Sequence, residues 1–117
     1  MPKILLVDDD KSLCLLYSTE FEAEGYEVDI AHDGHEAIEK IEENDYDLVI
    51  LDIRMPGMDG ISALEKIAVK KRDLSVLINS AYSNYKDNFL TWLAEDYIIK
   101  SPDLDELKEK VKTIVNK

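Results

Sequence analysis

A chain of 117 residues is long enough for one domain that buries roughly two-thirds of its unfolded surface, and leaves no room for a second. Twenty-six acidic residues against 14 basic ones give a net charge of −12, which repels phosphate backbones and anionic lipid surfaces, so neither direct nucleic-acid binding nor membrane association is expected. Cys14 is the only cysteine, no apolar run approaches the ~18 residues of a membrane span, and no signal-peptide core is present, which places the chain in the reducing cytoplasm.

Residues 3–7 (KILLV) read as a short apolar strand ending at Asp8-Asp9-Asp10. From Lys11 the period turns helical, with Leu13, Leu16, Tyr17 and Phe21 expected on the buried face and Gly25 as the stop. Residues 26–31 (YEVDIA) alternate apolar and polar, as an edge strand does. Asp33 and Glu36 then stand at capping-box spacing before a helix that buries Ala37, Ile38 and Ile41 and ends at Asn44. Residues 47–51 are the central buried strand: an apolar run too short for a helix stops at Asp52 and is followed by Pro56-Gly57 and Asp59-Gly60. Ile61, Leu64, Ile67 and Ala68 fall at helical spacing, and that helix runs out in Lys70-Lys71-Arg72, cations that suit a C-terminus. Residues 74–78 (LSVLI) form a fourth strand ending at Asn79-Ser80. A weaker helix is predicted over 84–93, with Tyr85, Phe89, Trp92 and Leu93 as its apolar stripe. Residues 97–99 are the fifth strand, ending at Lys100. Ser101-Pro102-Asp103 caps a last helix, with Pro102 at its first position and Leu104, Leu107, Val111 and Ile114 as its buried stripe.

Five strands alternating with five helices specify an α/β fold, a doubly wound parallel sheet, because parallel strands need helical crossovers that cover both faces. The flavodoxin-like strand order 2-1-3-4-5 is expected, which sets strands one and three side by side with the topological switch between their tips. Ligands bind at that edge of such sheets, and Asp8, Asp9 and Asp52 would share one pocket there. Three crowded carboxylates either take up a proton or hold a cation, and all-oxygen ligation with few protein ligands suits Mg²⁺, with Mn²⁺ as a substitute. Neither His32 nor His35 is placed near a strand tip, and Cys14 lies on a helix, so no zinc or iron site is expected. Ser80 and Lys100 bring a hydroxyl and a cation to the same edge. Taken singly, an Asp pair caps a helix, a Ser starts a turn and a Lys sits in water; together they are what phosphoryl transfer to a carboxylate needs.

On these residues the sequence resembles the CheY-like receiver domain of bacterial two-component response regulators over essentially all of its length. The motifs are the acidic pair Asp8-Asp9 after the first strand, Asp52 in the frame DIRMPGMDG, Ser80-Ala81, Lys100, and Tyr97 at the aromatic switch position. The resemblance implies that Asp52 accepts a phosphoryl group from a histidine kinase or histidine phosphotransferase, with Mg²⁺ held by Asp9, Asp52 and the backbone carbonyl of Arg54. Asp8 would act on the metal through water, Lys100 and Ser80 would grip phosphoryl oxygens, and Tyr97 would turn inward as Ser80 moves. The helix over 84–93, the fifth strand and the last helix would form the output surface. Such a protein is no enzyme in the ordinary sense but a phosphoacceptor that assists its own phosphorylation and dephosphorylation. Arg54 and Tyr82, each two residues beyond a site residue, are expected to line the pocket mouth and tune the phosphoryl lifetime.

Two features depart from the family pattern. Ser101 stands where proline usually follows the lysine, so the Lys100–Ser101 bond is expected to be trans, since a non-proline cis bond costs ~2.5–4 kcal/mol. The predicted helix over 84–93 carries Tyr85 and Trp92 where members are more alanine-rich. A magnesium-dependent phosphohydrolase with an aspartyl nucleophile is the competing reading, but such enzymes place a second Asp two residues on, where this chain has Arg54. A flavin carrier of the same fold would need a hydroxyl-rich loop after strand one, where three aspartates would repel the phosphate. With nothing following the last helix, a monomeric stand-alone receiver without an output domain is expected. It is either a phosphorelay intermediate or a regulator that docks on a protein target.

Overall fold

The computed structural model describes residues 1–53, 60–81 and 93–116. Within them β1 (Lys3–Val7), β2 (Glu27–Ala31), β3 (Leu48–Leu51), β4 (Ser75–Ser80) and β5 (Asp96–Ile99) form one parallel sheet in the order β2-β1-β3-β4-β5. The described helices are α1 (Lys11–Ala23), α2 (Gly34–Glu43), α3 (Gly60–Lys70) and α4 (Asp105–Val115). The helix predicted over 84–93 falls, apart from Leu93, outside the described residues. No helix among the described residues is long and apolar enough to cross a membrane.

Side-chain alternation sorts the core into two layers. Leu5, Val7, Val49, Leu51, Val76 and Ile78 point to the face covered by α2 and α3, and Ile4, Leu6, Leu48, Ile50, Leu77 and Ile98 to the face covered by α1 and α4. Burial on both sides is why β1 and β3 are continuously apolar, whereas β2, at the edge, is exposed or half-buried until Ala31.

The register places the site. Val7 is level with Ala31 and with Leu51, and Leu51 with Ile78. One residue on, His32, Asp8, Asp52 and Asn79 therefore form a row across four strand ends. The Asp8 N–H donates to Ala31 O at 3.1 Å and the Asp52 N–H to Val7 O at 2.9 Å, which carries the ladder up to this row.

Helix ends follow the sequence signals with two shifts. Asp10 caps α1 by accepting from the Leu13 N–H at 3.1 Å, and Asp33 caps α2 by accepting from the Glu36 N–H at 2.8 Å. Glu36 reaches back to the His32 N–H, one residue before the partner a capping box would use. Gly25, at φ 97°, takes the left-handed position that ends α1. The last helix begins later than expected: Asp105, not Pro102, is its first residue. Ser101 Oγ accepts from the Asp103 N–H and Asp103 Oδ1 from the Asp105 N–H, so two successive side-chain turns occupy the segment that was expected to be helical. The Lys100–Ser101 bond is trans.

Leu16 is a second correction. It was placed on the buried face but is 52% exposed, while Cys14, Tyr17, Ser18 and Phe21 are buried. At about 100° per residue, α1 is rolled by roughly 80° from the expected orientation, so that Cys14 and Ser18 face inward in place of Leu16.

Candidate functional site

Asp52 and Asp8 are buried, at 5% and 6% exposure, on adjacent strand ends, and Asp9 is exposed beside them. One carboxylate oxygen from each lies within 4.8 Å of the others. Asp8 is engaged on both oxygens: Oδ1 accepts from the Asp10 N–H at 3.0 Å and Oδ2 from Lys100 Nζ at 2.7 Å. Lys100 Nζ stands 3.5 Å from Asp52 Oδ2, a longer ionic contact. Three ionised carboxylates against one ammonium leave two negative charges unbalanced. An all-oxygen donor set this close fits a hard divalent cation such as Mg²⁺, which takes few protein oxygens and completes its shell with other oxygen ligands.

The electrostatics carry the same sign. Burial, then repulsion by Asp8, raises Asp52 from its ordinary 3.8 to about 6, against the pull of Lys100. Burial works against the Lys100 ammonium, but the hydrogen bond to Asp8 and the charges of Asp52 and Asp8 outweigh it and hold the group above its usual range.

Ser80 ends β4 fully buried, and its carbonyl accepts from the Lys100 N–H at 2.7 Å, which ties the tips of β4 and β5 together. Tyr97, on β5, packs half-buried against the core layer of α2 and α3. Arg54 and Tyr82 lie outside the described residues. The structure thus brings Asp8, Asp9, Asp52 and Lys100 together and sets Ser80 on the adjoining strand end.

His32 corrects the expectation that no histidine approaches a strand tip. Its Nδ1 is 3.2 Å from the Asp8 carbonyl oxygen. The signal was present, because a strand ending at Ala31 beside one ending at Val7 must set His32 against Asp8. Asn79 is likewise brought level with Asp52, a polar residue that interrupts an apolar strand just before Ser80. Cys14, whose Sγ lies 3.4 Å from the same Asp8 carbonyl, is pushed up to about 11, by burial first and then by the nearby aspartates, and stays a thiol at neutral pH.

A pH signature follows. A carboxyl whose folded pKa is raised stabilises the fold fully below its unfolded value near 3.8, and that contribution is lost as pH rises through about 6. In metal-free protein at pH 7.5, Asp52→Asn should therefore be more stable than wild type by about 1–3 kcal/mol, with the gain fading below pH 4. Mg²⁺ should raise the melting temperature of wild type more than that of the variant. Chemical denaturation across this pH range checks it, and a stability difference independent of pH would contradict the shared-pocket electrostatics.

Comparison with known proteins agrees with the geometry. Residues 4–112 match the model of the response regulator receiver domain. The response regulator ArlR of Staphylococcus saprophyticus is 33% identical over 118 residues, covering 100% of this chain and 54% of ArlR. The response regulator TrrA of Thermotoga maritima, solved in complex with Mg²⁺–BeF, superposes with a TM-score of 0.95 at 45% identity, covering 97% of this chain and 99% of that one. In a complex with the histidine kinase ThkA, TrrA superposes with a TM-score of 0.92 at 45% identity, covering 97% and 98%. The chain spans from 24% to 54% of the length of the curated relatives it matches. A five-stranded parallel sheet covered on both faces, with three aspartates and a lysine converging on one edge and matched along nearly its whole length by the family model, places this chain in the family of response regulator receiver domains.

Proposed function

We propose that Asp52 is the phosphoacceptor of this receiver, taking a phosphoryl group from the phosphohistidine of a histidine kinase or histidine phosphotransferase. The observation that carries the reading is the buried Asp52 carboxylate, flanked by Asp8 and Asp9 and faced by the Lys100 ammonium. An Asp52 oxygen attacks phosphorus, the P–N bond to the donor imidazole breaks, and its electron pair stays on the ring nitrogen. Lys100 holds an oxygen of the transferring group and Ser80 donates to another. Asp8 keeps Lys100 in place before the donor arrives. Asp9, Asp52 and the carbonyl of Arg54 would hold Mg²⁺, with Asp8 acting through water, and the ion would supply charge neutralisation at the phosphoryl oxygens. The same residues assist the return step, in which water attacks phosphorus and the acyl phosphate opens. Arg54 and Tyr82, each two residues beyond a site residue in the chain, set its rate, and Tyr97 follows the movement of Ser80 to relay the state to a protein target. Incubation with acetyl phosphate and Mg²⁺ tests this: intact-mass spectrometry should show one labile phosphoryl group, and no adduct would overturn the reading.

The donor's docking place is the groove of Leu13, Leu16, Tyr17, Pro102 and Leu104, about 310 Å³ and mostly apolar, with Lys100 on its wall. Leu16 stands 52% exposed on its α1 wall, where an amphipathic helix bearing the phosphohistidine would cover it. Leu16→Asp should cut transfer from the cognate kinase by about tenfold or more while leaving acetyl phosphate labelling unchanged. Equal losses with both donors would place the defect in the acceptor pocket instead.

A further inference from the structure

Next to the acceptor stands a polar pair that the proposed chemistry leaves unused. Asn79 follows three buried apolar residues of β4 and is itself 3% exposed. By register it is the cross-strand neighbour of Asp52, one strand spacing of ~4.8 Å away and on the face covered by α1. Its amide donates to the Tyr17 hydroxyl at 3.2 Å, and Tyr17, 4% exposed, reaches it from α1. For packing alone a Leu–Phe pair of similar shape would serve, since replacing both partners of a buried hydrogen bond by apolar groups is nearly neutral. The polarity therefore needs another account.

The space between the pair and the acceptor supplies one. Tyr17, Asn79, Asp8, Asp52 and Cys14, together with Leu6, Val7, Leu13 and Ile50, line a cavity of about 10 Å³. That is close to the room one water needs, and the polar residues of this lining can supply the two partners such a water requires. A second cavity of about 10 Å³ lies on the far side of Tyr17 and Asn79, beneath Ser101 and Leu104. The pair is thus a partition between the acceptor site and the segment under the docking groove.

We propose that Tyr17 and Asn79 are positioning residues for phosphoryl acceptance, holding one internal water against the inner side of the Asp8 and Asp52 carboxylates so that Asp52 keeps the orientation its attack requires. The inference rests on the reading of Asp52 as acceptor. Removing either member releases the same water, so the effects of the two are shared and not independent.

The test uses the full chain, acetyl phosphate and saturating Mg²⁺, at a temperature where every variant is folded. Tyr17→Phe and Asn79→Leu should each slow phosphoryl incorporation by about tenfold, and the double variant should be no slower than the singles. In the wild type, the side-chain amide resonances of Asn79 should shift when Mg²⁺ and beryllofluoride fill the site, through the shared water as well as through space. In Tyr17→Phe that shift should be smaller. Unchanged rates, losses that multiply in the double variant, or an Asn79 amide indifferent to beryllofluoride would each overturn the proposal. If Asn79→Leu does not fold, Tyr17→Phe, which removes one oxygen and keeps the ring, decides together with the Asn79 resonance. Absence of any adduct on wild type would instead sink the assignment of Asp52.

Discussion

Asp52→Asn is expected to abolish phosphoryl incorporation, from acetyl phosphate and from a histidine kinase alike, with a loss of about a hundredfold or more in rate. Its neighbours are poor substitutes for reasons that the geometry states. Asp8 already accepts from the Asp10 N–H on one oxygen and from the Lys100 ammonium on the other, so attack from it would have to break one of these bonds. Asp9 is exposed, and Asp10 is occupied as the cap of α1. Asp52 is buried between two acidic neighbours and meets Lys100 only through the longer 3.5 Å contact, which leaves that ammonium able to receive phosphoryl oxygens. The amide is close to isosteric, so the fold survives, and metal-free variant protein gains stability because a buried charge is gone. Loss of labelling together with a gain in stability is a combination that a folding defect cannot imitate. Undiminished labelling of Asp52→Asn, by intact mass, would move the acceptor elsewhere.

Gly60→Ala is expected to be strongly disruptive. Gly60 opens α3, and its N–H donates to the Ile53 carbonyl at 2.6 Å, which folds the chain back against the end of β3. A Cβ there would collide with the carbonyl oxygen of Asp52 and the Cα of Ile53, backbone atoms that no rotamer change can move aside, and would press on Ile53 O at 3.0 Å. Either α3 shifts or the strand end carrying Asp52 does. Overpacking of this kind costs about 1–3 kcal/mol or more, which for a domain of this size lowers the melting temperature by about 10 °C. Phosphoryl incorporation should fall as well, because Asp52 moves. Gly25→Ala is the control: its φ of 97° strains an L-residue, but the space around it is open and it lies far from the site, so a cost of about 1 kcal/mol with normal labelling is expected. Equal melting of Gly60→Ala and wild type would show that this approach is looser than the geometry indicates.

Much of this molecule was legible in the chain itself. Apolar runs of three or four residues, each followed by polar residues, mark the inner strands, and their alternation with helical periods leaves a parallel sheet with right-handed crossovers as the economical solution. The carboxylates at 8, 9 and 52 and the cation at 100 could then be assigned to one edge, because each ends its strand and parallel strands deliver their carboxyl ends to the same side. Those are local signals combined with one topological rule, so no side-chain geometry was needed.

What the sequence could not decide depends on how elements roll and where helices start. Leu16 and Cys14 sit on one amphipathic helix whose roll is settled only when it packs on the sheet, and this turned Leu16 outward to line a groove. The segment from Ser101 to Leu104 has good helix-start chemistry, yet successive side-chain turns hold it and delay α4 to Asp105. Lys100 pairs more closely with Asp8 than with Asp52 because its long stem settles on whichever oxygen lies nearest once β5 is docked on β4, and only the packed sheet fixes that. His32 and Asn79 join the site through register across strands far apart in sequence. A residue's place in that row is a property of neighbouring strands and not of its own surroundings in the chain.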